Sequence, residues 1–129
     1  MNPKTQEALI HSIFSRTGVT SNPAAGTTAV ASVAAVPKTR YTIDTVIASQ
    51  RNKTAANYTA TLSLRDSSIA GTLLAQWEFS TAADGAERLA EGKLGVPGLV
   101  NSGVFAVWDP PAASVVQKVT IVAYRETSS

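Results

Sequence analysis

Period-two alternation dominates the chain from Arg40 onward. Its clearest stretch sets Tyr58, Ala60, Leu62 and Leu64 against Thr59, Thr61, Ser63 and Arg65, which in an extended backbone gives one apolar and one polar face. After Asp66-Ser67-Ser68, which reads as a turn, Leu73, Ala75, Trp77 and Phe79 alternate with Gln76, Glu78 and Ser80, predicting a hairpin with the preceding strand. Tyr41 and Ile43 open an earlier strand reaching about Ala48, and Gln50-Arg51-Asn52-Lys53 reads as a polar turn after it. Gly103 to Asp109 is apolar on both faces, Val104, Ala106 and Trp108 against Phe105 and Val107, so it belongs in a sheet centre or at an interface, and Asp109-Pro110-Pro111 stops it. The last strand runs from Val115 to Arg125, with Val119, Ile121 and Ala123 on one face.

Two regions are less regular. In Thr81 to Gly103, Asp84-Gly85 signals a turn, Ala86 to Glu91 reads as a helical turn closed by Gly92, and Pro97-Gly98 suits a type II turn. Short strands through Leu89, Leu94, Leu99 and Val100 are the alternative. At the other end, Asn2-Pro3 is a helix-start signal and Gly18 a stop, with Leu9, Ile10, Ile13 and Phe14 at helical spacing between them. Residues 19–35 are rich in Ser, Thr, Gly and Ala and read as an extended arm, with an edge strand over Thr27 to Val36 as the alternative. The expectation is an all-β chain: an arm with a short helix over residues 1–38, then an antiparallel β-sandwich or jelly-roll over 39–129.

Composition sharpens this picture. The chain has 129 residues, one domain's length, and its 44% apolar content includes only 6% aromatic, so the core is built from small and β-branched side chains. It has no Cys, so packing or association must supply its stability. The 11 basic and 9 acidic residues are scattered along the sequence and form no stripe for neutralising phosphates. The apolar run from Ala8 to Phe14 is too short for a membrane span and, broken by His11 and Ser12, does not read as a signal peptide. With synthesis in the cytoplasm expected, the sequons at Asn52 and Asn57 read as accidents of a Thr-rich chain.

Catalytic chemistry finds little footing. His11 is the single histidine, remote in sequence from any orienting Asp, and with no Cys it cannot complete a nitrogen and sulfur metal site. Asp44, Asp66, Glu78, Asp84, Glu87, Glu91, Asp109 and Glu126 stand in turns or on polar strand faces, where solvated charges are the simple reading. The glycines of Gly92-Lys93-Leu94-Gly95-Val96-Pro97-Gly98 form a loop, since the Gly-Lys-Ser/Thr ending of a phosphate loop is missing. No catalytic, cofactor or metal residue is expected. Candidate partner-binding residues are Leu9, Ile10, Ile13 and Phe14, together with Trp108, for which core packing is the alternative.

An arm over residues 1–38, Ala/Thr/Ser/Val-rich strands such as Tyr58-Thr59-Ala60-Thr61-Leu62-Ser63-Leu64, and the absence of Cys together resemble small bacteriophage virion proteins, especially capsid decoration or cement proteins. The resemblance implies a non-enzymatic virion protein that clamps neighbouring major capsid subunits, assembles as a homo-oligomer with a trimer favoured, and binds no specific nucleic acid or membrane. Two other classes compete. A shell-forming coat protein of a small virus is consistent with the length, and a carbohydrate-binding or adhesin-like module would display an exposed Trp108 or Tyr124.

Overall fold

The computed structural model describes residues 16–127. Nine strands occur among them: β1 (Arg16–Ser21), β2 (Val30–Val33), β3 (Thr39–Asn52), β4 (Tyr58–Asp66), β5 (Leu73–Thr81), β6 (Ala86–Glu91), β7 (Val96–Pro97), β8 (Val104–Trp108) and β9 (Val115–Thr127). One sheet has the order β1-β9-β3-β6 with β7 also on β3, the other the order β2-β8-β4-β5, and every pairing is antiparallel. The chain crosses between sheets at nearly every step, and β4–β5 is the one hairpin joining consecutive neighbours within a sheet. This is the double-sheet jelly-roll arrangement.

The segment read as an arm enters the sandwich from residue 16. Arg16–Ser21 pairs with Tyr124 to Val119, and Val30–Val33 pairs with β8 as an edge strand, the alternative weighed for that stretch. The expected helix from Asn2 to Gly18 is replaced by strand at its final residues, because the free edge of β9 supplies partners for their backbone groups. The rest of that helix, with Leu9, Ile10, Ile13 and Phe14, lies outside the described residues.

A bulge in β3 shifts the phase of its alternation. Between Ile43 and Thr45 the register to β9 slips, leaving Asp44 without a cross-strand partner there. Tyr41 and Ile43 point inward before it, and Val46, Ala48, Gln50 and Asn52 after it. The supposed polar turn Gln50 to Lys53 is therefore mostly strand, whose inward positions happen to be polar. These positions are satisfied by hydrogen bonds: Gln50 Nε2 donates to Thr81 Oγ1 at 2.8 Å, and Gln117 Nε2 donates to Gln50 Oε1 at 2.9 Å. Asn52 Nδ2 donates to the Ala56 carbonyl at 2.8 Å while its Oδ1 accepts from Thr54 N at 2.9 Å. Asn52 is fully buried, so its sequon is no glycan acceptor in the folded chain.

The core follows the alternation elsewhere. Leu62, Leu64, Phe79, Val104 and Ala106 of one sheet meet Ile43, Val46, Val119, Ile121 and Ala123 of the other, and burying each large side chain contributes about 1.5–3 kcal/mol. A bulge between Leu64 and Arg65 shifts the start of β5, so Leu74 packs on the core and Leu73 faces out, the reverse of the simple alternation. Ala86–Glu91 is a strand on β3 and not a helical turn, since so short a helix cannot sustain itself whereas β3 offers a full ladder. Nor is Pro97-Gly98 a type II turn, as Gly98 lacks positive φ. Glycine eases a close approach there: a Cβ would lie 3.0 Å from Val104 Cγ1 and 3.3 Å from the Tyr41 carbonyl oxygen.

The amide chain spanning the two sheets gives a stability test. Gln50→Leu strands the amide of Gln117, whose Oε1 already lacks a protein partner, and should cost about 1–3 kcal/mol in urea unfolding. Replacing both glutamines by Leu should recover most of that loss; an additive double loss would show that the pair is not coupled.

Candidate functional site

Register decides what the outer face of the β1-β9-β3-β6 sheet displays. With Val46, Ala48 and Gln50 turned inward, Ile47, Ser49 and Arg51 turn outward. Ser49 stands opposite Arg88 on one side and Lys118 on the other, while Arg51 stands opposite Ala86 and Val116. At strand spacing, Arg88 and Lys118 are about 10 Å apart across Ser49. A shallow depression of about 310 Å³ gathers Arg51, Lys53, Arg88 and Lys118 around Ser49 and Val116. Beside it, and sharing Ser49 and Arg88, lies a second depression of about 350 Å³ whose exposed surface is mainly apolar, with Ile47 and Ala90 in its lining. Ile47 is 51% exposed.

Among the described residues, the side chains of Arg51, Lys53, Arg88 and Lys118 make no hydrogen bond or ion pair. Glu87 and Glu91 flank Arg88 along β6 but alternate to the opposite side of the strand. The ion pair on this face, Arg40 to Glu126 at 3.0 Å, lies at the far end of the β3–β9 ladder. Charges that appear scattered in the sequence are thus gathered by pairing, which corrects the expectation that they form no cluster. Arg51 comes from β3, Arg88 from β6 and Lys118 from β9, a signal visible only once register is known.

Other candidate residues are placed differently. Trp108 is 1% exposed, its ring tilted against Phe79 at a centroid distance of 4.6 Å and its Nε1 donating to the Lys118 carbonyl at 3.0 Å. It joins the two sheets and presents no ring to a partner. Asp66 is buried, accepting from Leu99 N at 3.3 Å and from Ser67 Oγ at 3.3 Å, so it fastens the β7–β8 loop to the β4–β5 turn. Asp109 Oδ2 accepts from Thr61 N at 2.9 Å. Among the described residues no group of three or more His, Cys, Asp or Glu side chains is placed to hold a metal ion, and no helix is long and apolar enough to cross a membrane.

Two further surfaces lie elsewhere on the sandwich. Ile69, Leu73, Leu99 and Val100, each 43–59% exposed, lie on the β4–β5 turn and the β7–β8 loop that Asp66 joins, which sequence reading left unremarked. A concavity of about 460 Å³ on the outer face of the other sheet is lined by Ser63, Arg65, Ile69, Val107 and Asp109 among others. Its charged groups are committed to the fold, Arg65 Nη1 donating to the Gly71 carbonyl at 2.9 Å and Asp109 capping Thr61.

No protein family and no curated protein matches the chain. Among solved structures it is similar to the Tobacco streak virus coat protein, at 9% identity over 89% of each chain with a TM-score of 0.39. It is also similar to CsCBM6-3 from Clostridium stercorarium, solved with cellobiose, at 11% identity over 85% of this chain and 74% of that one, TM-score 0.43. A third is a glycoside hydrolase family 43 arabinoxylan arabinofuranohydrolase from Bacillus subtilis, at 15% identity and TM-score 0.41, where 87% of this chain spans 21% of the enzyme. Viral coat proteins and carbohydrate-binding modules thus both stand among its structural neighbours.

The clustered cations make a direct prediction. Ser49→Glu sets a carboxylate between Arg88 and Lys118 and should stabilise the fold by about 0.2–1 kcal/mol at low salt, read as a rise in Tm that fades at high salt. A salt-independent change would place those cations elsewhere.

Proposed function

We propose that the chain is a non-enzymatic virion structural protein of the decoration or cement type, clamping neighbouring major capsid subunits by surface contact. The observation that carries this reading is the division of polar chemistry. Gln50, Asn52, Asp66, Thr81 and Gln117 are buried and bonded within the fold, whereas free cations and half-exposed apolar side chains lie on broad outer surfaces. Catalysis needs polar groups converging in a concavity, while assembly needs apolar anchors with a charged surround. Jelly-rolls occur in viral capsid and lectin domains alike, so the topology supports the reading by analogy alone. The glycan alternative loses Trp108, whose ring is in the core, and keeps Tyr124, partly exposed on β9.

The arm retains a part in this reading. Leu9, Ile10, Ile13 and Phe14, which precede the edge strand β1 in sequence, are kept as candidate contacts to a neighbouring subunit. Self-association falls to the apolar end bearing Leu99 and Val100. Light scattering of the full chain should report a homotrimer that Leu99→Ser/Val100→Ser reduces to monomer with Tm shifted by no more than about 4 °C. A chain beginning at Arg16, which keeps every described strand, separates the arm's contribution. A strict monomer at all concentrations contradicts the clamp.

A further inference from the structure

We infer that the outer face of β9, β3 and β6 is a docking surface for a protein partner of complementary chemistry: a different surface presenting an apolar side chain beside carboxylates. This inference stands whether or not that partner belongs to a virion.

Three observations select the occupant. First, among the described residues the four cations around Ser49 make no ion pair, so an incoming anion gains their attraction without breaking one. Second, Ile47 and Ala90 line an adjoining depression that shares Ser49 and Arg88 with the cationic one. A phosphate backbone is served by the cations alone and gains nothing from covering Ile47, whereas a protein surface buries an apolar anchor and pairs its charges around it. The cationic depression also has no aromatic lining on which a base could stack. Third, a two-fold contact centred on Ser49 would press Arg51, Arg88 and Lys118 against the same cations, so a second copy seated there is disfavoured relative to a surface that brings carboxylates.

The partner therefore supplies two or more carboxylates within about 10 Å, the separation across Ser49, and an apolar side chain toward Ile47. The guanidinium forks of Arg51 and Arg88 can donate to such carboxylates bidentately.

The test is an NMR titration of the isotope-labelled full chain with a soluble peptide carrying leucine between pairs of glutamates. Shifts should centre on the amides of Ile47, Ser49, Arg88, Ala90 and Lys118. Replacing either the leucine by serine or the glutamates by glutamine should weaken binding at least about fivefold, as should Arg88→Ser/Lys118→Ser or Ile47→Ser in spectra otherwise unchanged. Equal or tighter binding of an oligothymidylate at those amides would overturn the proposal in favour of a polyanion surface. Indifference to the leucine, no shift with the peptide, or concentration-dependent shifts of the same amides without peptide would each overturn it as well.

Discussion

The antiparallel pairing of β3 with β9, running from Thr39 opposite Thr127 to Asn52 opposite Val115, is the constraint on which the structure depends. Both strands are central in their sheet, so their register fixes the inward set that makes half of the core. A strand has a period of two, so the same register fixes what points outward. A slip of β3 by one residue would bury Arg51, and a slip of β9 would bury Lys118 and expose Ile121. The cost of that exchange holds the cations on the surface as firmly as it holds the aliphatics inside.

The bulge at Asp44 is the local device that makes this possible. Tyr41 and Ile43 must face the other sheet, and so must Val46 and Ala48, yet the two pairs are out of phase in an unbroken strand. One extra residue reconciles them. Past the bulge the inward positions become Gln50 and Asn52, and the opposite sheet answers through Thr81. Trp108 makes the corresponding link from the other side through the Lys118 carbonyl. Satisfied polar groups and the indole thus tie the sheets together where aliphatic packing thins, while Arg51, Arg88 and Lys118 remain free for outside contact.

The all-β class and the β4–β5 hairpin were legible because Tyr58 to Leu64 and Ala75 to Phe79 alternate without a break, and the central placing of β8 because both of its faces are apolar. The inward glutamines were not, since a polar residue that finds its partner across a sandwich looks in sequence like a turn. The strand at Ala86–Glu91 was obscured because its inward positions include Glu87 and Glu91 at a sheet edge, leaving Leu89 alone to mark the buried side. Trp108 was ambiguous beside Asp109-Pro110, where nothing in sequence says whether its ring turns toward Phe79 or solvent. The cationic face was invisible for a different reason: Arg51, Arg88 and Lys118 become neighbours only through pairings between distant segments.

That dependence makes backbone register the most direct test. Cross-strand nuclear Overhauser contacts in the full chain should join Ser49 to both Arg88 and Lys118, and Ala48 to both Leu89 and Val119. Contacts from Ser49 to Leu89 or Val119 instead would mean a one-residue slip, turn the cations inward and remove the surface on which the functional account is built.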